Sequence, residues 1–140
     1  MRDRVSNLIL LREPLESLAL GSLADEVTIH FPWGSLLSGA LAENDAVFEA
    51  ICRLPQLRGT LTLMVSVISR DGRRPLSAPD IARVVRAYRS RGLVLLDDRP
   101  VERADVEAAR SSWGKRLDVG GVRPGHLLTF AGTACRPGLR

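Results

Sequence analysis

Two stretches of this 140-residue chain hold both of its tryptophans, and they are also where residue types and spacing point to chemistry. The first is His30-Phe31-Pro32-Trp33-Gly34-Ser35-Leu36-Leu37, and the second is Ser111-Ser112-Trp113-Gly114-Lys115-Arg116-Leu117. In the first, proline and glycine around Trp33 shape a loop at the C-terminal end of a strand, where open α/β sheets place their ligands. Such a loop either holds the indole outward or folds it back into the core, since buried tryptophan is common. Ser35 is placed to cap the helix that follows. In the second stretch, an aromatic ring stands beside two cations and two hydroxyls, ahead of a glycine-containing loop with Arg123. Aromatic stacking with neighbouring cations is what an extruded base and its phosphates require. The alternative is a helix end whose Lys115 and Arg116 complement its dipole.

Other chemistries find little support. No paired carboxylates and no His/Asp grouping suggest acid–base catalysis, and His30 and His126 are expected to satisfy local hydrogen bonds. Cys52 and Cys135 lie far apart with no CxxC or Cys/His cluster, so neither a metal site nor a disulfide is expected. The net charge of +4 and a pI near 10.0 come from 20 basic residues, of which only Lys115 is a lysine. That balance favours a polyanionic partner without naming one. The beginning of the chain lacks the apolar run and cleavage site of a secretory signal. The best apolar stretch, Thr60 to Ile68, is strand-sized and falls well short of the ~20 residues that cross a bilayer. A cytoplasmic, soluble chain is expected.

The elements that must position these residues read as follows. Asn7 to Arg12 (NLILLR) is nearly continuously apolar, as in a strand buried on both faces. A helical turn is expected within Glu13 to Leu20, then a strand over Val27 to Phe31 that Pro32 ends. Gly34 to Leu41 and Asn44 to Leu54 read as helices, the second capped by Asn44. Thr60 to Ile68 is the clearest strand. Arg70 to Pro75 is a charged loop, and Ser77 opens a helix with Pro79 in its first turn and Asp80 in the capping-box position. Ile81, Val84, Val85 and Tyr88 fall on one face of that helix, with Arg83, Arg86 and Arg89 opposite, as a solvated face. Leu93 to Leu96 is a strand, Asp105 to Leu117 begins as a helix whose continuation Gly114 puts in doubt, and His126 to Ala131 is the final strand. Five strands separated by helices indicate a single α/β domain with a mostly parallel sheet. The long helix after Ser77 does not suggest a DNA-reading motif, because buried strands flank it.

Taken together, NLILL, PLESL, ADEVTIHFPWGSLL and SSWGKRL resemble, in order and spacing, the 16S ribosomal RNA adenine-N1 methyltransferases that confer resistance to kanamycin- and apramycin-type aminoglycosides. The resemblance covers most of the chain, weakens after Gly121, and corresponds to the C-terminal two-thirds of that family. It implies a Rossmann-like class I methyltransferase sheet that uses S-adenosyl-L-methionine (SAM) and acts on 16S rRNA in the small ribosomal subunit. Glu16 and Ser17 in PLESL match residues on the adenine side of SAM, Ser111 matches a serine near its methionine end, and Ser35 is placed with the cofactor contacts. Trp33 and Trp113 match the two tryptophans that sandwich the flipped adenine, and Lys115, Arg116 and Arg123 match cations that grip the RNA backbone. The chemistry so implied needs no general base, because N1 of adenine carries a free lone pair at neutral pH. Aromatic faces hold the base in line and tolerate the positive charge it gains.

The chain also departs from the family pattern. The acidic glycine-rich turn and the acidic residue that meet SAM in the family have no counterpart here, and the first two strands of the family sheet are missing. Pro14 and Leu15 replace small residues near the cofactor. The resemblance therefore implies a partial sheet with an unpaired edge at VTIHF, weak or absent SAM binding, and a gene that is truncated or read from too late a start. The other reading of the same residues is a catalytically inactive remnant that retains at most RNA or partner binding.

Overall fold

A computed structural model of the chain describes residues 7–134; Cys135 and the Arg136-Pro137-Gly138 tail lie outside the described residues. Four strands form one sheet: β1 (Ala24–His30), β2 (Pro55–Val65), β3 (Leu93–Pro100) and β4 (His126–Gly132), in the order β1-β2-β4-β3. Between them run α1 (Gly34–Ala40), α2 (Asp45–Arg53), α3 (Ala78–Ser90), α4 (Arg103–Ala108) and α5 (Ser112–Arg116). No helix among the described residues is long and apolar enough to cross a membrane.

The helices start where their side chains can satisfy free backbone donors. Asn44 caps α2 by accepting from the Val47 N–H at 3.3 Å. Ser77 and Asp80 form a reciprocal capping box at α3: the Ser77 N–H and hydroxyl donate to the Asp80 carboxylate at 2.8 and 2.6 Å. The Ser77 hydroxyl, the Ser77 N–H and then the Arg74 guanidinium hold the Asp80 carboxyl down to about 2. With the folded value below the unfolded one, this carboxylate adds stability above about pH 4. That contribution is expected to vanish as pH falls from 4 towards 2. Urea unfolding of the native chain and of Asp80→Asn across that range should show two midpoints that differ at pH 5 and converge near pH 2.

Alternation along the strands sends two sets of side chains to opposite faces. Leu61, Leu63, Val65, Leu128 and Phe130 join Ile29 and residues of α1, α2 and α3 in the main core. Its centre is an aromatic run in which Tyr88 lies 5.0 Å from Phe48 and 4.6 Å from Phe130, ring centre to ring centre. The Tyr88 hydroxyl donates to the Ala40 carbonyl at 3.0 Å, so burying it leaves no unpaired group. On the other face Met64 and Leu127 meet Phe31, Val101, Val106 and Val119 in a smaller cluster covered by α4 and the chain beyond α5.

Three expectations are corrected. Asn7 to Arg12 is not a strand: it has no ladder, and Leu8, Ile9, Leu10 and Leu11 are exposed. An apolar run becomes a strand only against a neighbour, and β1 is paired with β2 alone. The sheet has four strands rather than five and is not mostly parallel in its pairing. β1 and β2 are parallel, whereas β4 inserts antiparallel to both β2 and β3, so three strands share one direction and one opposes them. The helix expected over Asp105 to Leu117 is two short helices, parted at Arg110, whose φ of 52° breaks the helical path.

Candidate nucleic-acid interface

β1 delivers the first tryptophan. At its end the Phe31 N–H donates to the Met64 carbonyl at 2.7 Å, and the backbone turns through a φ of 50° at Phe31 and 54° at Gly34. The turn drives the Phe31 ring into the smaller core cluster and leaves Trp33 outside, 53% exposed. Trp33 itself occupies the N-cap position of α1, with extended backbone and no side-chain cap. Ser35, expected as that cap, lies one residue inside the helix and is exposed.

The second tryptophan comes from α5. The Ser111 hydroxyl accepts the Gly114 N–H at 3.0 Å and starts this five-residue helix. Gly114 is buried against Phe31: a Cβ there would lie 2.5 Å from the Phe31 ring and 2.9 Å from Val106. This absence of a side chain sets α5 directly against the residue that turns β1. As a result Trp113, 39% exposed, meets Trp33 with ring centres 5.7 Å apart and planes at 66°. The two indoles line an open depression of about 280 Å³. Sequence reasoning missed Phe31 and Gly114 as the pair that joins the two stretches; a glycine inside a helical pattern was the available signal.

Edge-to-face contact is a favoured arrangement for two rings with nothing between them. To hold a planar base, the indoles must lie about 7 Å apart and near parallel, since each carbon contact takes about 3.5 Å. Admitting a base therefore requires a modest opening and a rotation of at least one side chain. Lys115 and Arg116 occupy the last turn of α5 and are exposed, and the Arg116 guanidinium lies 5.8 Å from the Trp113 ring centre. Their position serves the helix dipole and leaves both charges available to an anion.

Arg123 departs from the expectation of an RNA-gripping cation. It is 9% exposed, and its guanidinium donates to the Ser66 hydroxyl at 2.7 Å, the Ser66 carbonyl at 3.1 Å and the Asp71 carboxylate at 2.6 Å. The same Asp71 oxygen accepts the Ile68 N–H at 2.9 Å. These bonds tie the loop after β2 to the loop after α5.

The residues matched to SAM are exposed or, at Ser111, bonded to the backbone. Glu16 and Ser17 lie exposed on the 3-10 turn Leu15–Ser17, which buries no residue. Ser35 is exposed, and the Ser111 hydroxyl is already engaged as the cap of α5. His30 is half-buried, and loss of solvent lowers its pKa below the ordinary histidine value, so its imidazole is neutral near pH 7. No group of three or more metal-ligating side chains gathers among the described residues.

No protein-family model matches the chain, and no curated protein matches it. Solved structures do. The 16S rRNA (adenine(1408)-N(1))-methyltransferase of Catenulisporales acidiphilia, in a variant carrying its cosubstrate SAM, superposes with a TM-score of 0.69 at 20% identity, over 89% of this chain and 61% of that one. The 16S rRNA methyltransferase KamB gives 0.69 at 24% identity, over 86% and 60%. The antibiotic-resistance methyltransferase Kmr gives 0.63 at 26%, over 87% and 60%. The chain's structural neighbours thus include a 16S rRNA (adenine(1408)-N(1))-methyltransferase, a 16S rRNA methyltransferase and an antibiotic-resistance methyltransferase, and it has the α/β fold of about three-fifths of such a chain.

Proposed function

We propose that the chain is the adenine-gripping part of a SAM-dependent methyltransferase that modifies N1 of an adenine in the decoding site of 16S rRNA, within the small ribosomal subunit, and so confers aminoglycoside resistance. The observation that carries this reading is the meeting of Trp33 and Trp113 at the C-terminal end of β1, in a depression lined by their two rings. An extruded adenine fits between two indoles once they part, and each ring face returns part of the unstacking cost of a few kcal/mol. Lys115 and Arg116 follow Trp113 directly and are placed for the flanking phosphates. The methyltransferase neighbours support the reaction class.

The test is binding to a decoding-site RNA hairpin. Each base–aromatic stack is worth about 1–3 kcal/mol, so Trp33→Ala and Trp113→Ala are each expected to weaken binding roughly tenfold to a hundredfold. Phenylalanine at either position should keep most of the affinity, and the far-UV circular dichroism should not change. Unchanged RNA affinity in both alanine variants would overturn the base-gripping role.

A second reading, a catalytically inactive remnant that still binds RNA, is favoured by the exposure of Glu16 and Ser17 and by the engagement of the Ser111 hydroxyl. Micromolar SAM binding by calorimetry overturns this second reading and assigns the enzyme reading to the chain itself; RNA binding without SAM binding is common to a remnant and to the adenine-gripping part of a longer enzyme.

A further inference from the structure

A groove of about 490 Å³ runs between α3 and β3, on the face of the sheet that holds the main core and away from the tryptophan pair. β2 and β3 point the same way, because each is antiparallel to β4. The helix that joins them therefore runs back against β3, and its first turn stands near the end of that strand. Ser77 and Ala78 thus share one end of the groove with Asp98, and Arg86 lies at the other. From Ala78 to Arg86 the helix spans about 12 Å, at about 1.5 Å per residue. The floor is aliphatic. Ile81 is buried, and Leu76, Val85 and Leu95 pack partly against the main core while leaving one flank to the groove. The two ends differ in charge. Arg86 is exposed, with no hydrogen-bond or ion-pair partner among the described residues. Arg83, on the same helix, instead donates to the Leu41 carbonyl at 3.0 Å and pairs with Glu43. At the far end His126, on the same face as Leu128 and Phe130, is bonded to Asp98.

We propose that this groove binds a medium-chain monocarboxylate, with the carboxylate on Arg86 and the aliphatic chain laid along Val85, Leu95, Ile81 and Leu76. Sites for small molecules have volumes of roughly 300–1,000 Å³ and mostly apolar linings, with a few polar groups that fix orientation. Here the apolar surface lies between two polar ends, as an amphipathic chain requires. A guanidinium takes a carboxylate through two parallel hydrogen bonds, and Arg86 breaks no internal bond to do so. The chain gains by leaving water against the aliphatic floor. Asp98 sets the direction and the limit. A second anionic group at that end meets its carboxylate, so a dicarboxylate of matching length is disfavoured by like charge. The site is separate from the adenine-gripping one: its lining comes from α3, β3, His126 and the residues just before α3, and it involves neither indole.

Calorimetry of the whole chain with octanoate is expected to show one saturable site, and octanamide should bind about tenfold more weakly or worse. Arg86→Gln should weaken octanoate about tenfold or more. Ala82→Trp, which fills the groove from an exposed position on α3, should abolish binding. Circular dichroism should be unchanged in both variants. Suberate, the dicarboxylate of equal length, should bind more weakly than octanoate and regain affinity in Asp98→Asn. That exchange reads the charge order of the groove, which a merely greasy surface would not show. A folded chain that takes up no octanoate at millimolar concentration overturns the proposal. So does binding indifferent to Arg86→Gln or to Ala82→Trp, which places the ligand on another surface, and so does suberate binding as tightly as octanoate.

Discussion

Replacing Arg123 by methionine is expected to cost about 3–5 kcal/mol of folding stability, the range for removing one partner of a buried ion pair. Its guanidinium and the Asp71 carboxylate have side chains only 10% and 12% exposed, at 2.6 Å. Methionine preserves much of the volume but leaves Asp71 charged with little water to replace the lost partner. It also removes a donor from the Ser66 carbonyl and from its hydroxyl. A domain of this size has roughly 5–15 kcal/mol in all, so the urea midpoint should fall sharply. Arg123→Met with Asp71→Asn should regain much of the loss, because the amide oxygen still accepts the Ile68 N–H without a buried charge. If instead Arg123→Met leaves the midpoint unchanged and lowers RNA affinity, the guanidinium faces RNA as the family pattern implies, and the internal pairing is not its role.

Arg123 shows which properties a sequence conceals. Its charge reads as available for an anion because nothing nearby in the chain neutralises it; its partner Asp71 is 52 positions away. The same holds for Asn7 to Arg12. Its apolar run is a local property, but a strand is a relation between two segments, and the segment it would have to pair with is not supplied by β1, whose one neighbour is β2. The direction of β4 was hidden for a related reason. Alternating strands and helices imply parallel crossovers, yet the return from β3 through α4 and α5 lets β4 enter between β2 and β3 in the reverse sense.

Local determinants, by contrast, were legible. Ser77, Pro79 and Asp80 specify where α3 begins, and Ile81, Val84 and Tyr88 specify the face it buries, because both depend on spacing within one turn or two. Asn44 marked the start of α2 in the same way. Of the candidate site, the two tryptophan stretches were legible as places. Their contact was not, since it depends on how Phe31 and Gly114 meet.

That meeting supports a second large effect, for Gly114→Val. Glycine inside a helix normally costs about 1 kcal/mol relative to alanine, a cost that makes sense where a side chain has no room. The first added carbon would stand 2.5 Å from Phe31 and 2.9 Å from Val106, and both neighbours are buried. Phe31 cannot swing away readily, because its N–H is bonded to the Met64 carbonyl and its φ is already unusual. The easier movement is of α5, a short helix attached by loops on both sides. Overpacking of this kind typically costs about 1–3 kcal/mol, which the main core on the opposite face of the sheet should survive. Trp113 leaves Trp33 when α5 moves, so decoding-site RNA binding should fall as far as it does in Trp113→Ala. Indole fluorescence should report the lost ring contact, while far-UV circular dichroism stays near that of the native chain. Native fluorescence and native RNA affinity in Gly114→Val would mean that the close approach of α5 to Phe31 does not place Trp113.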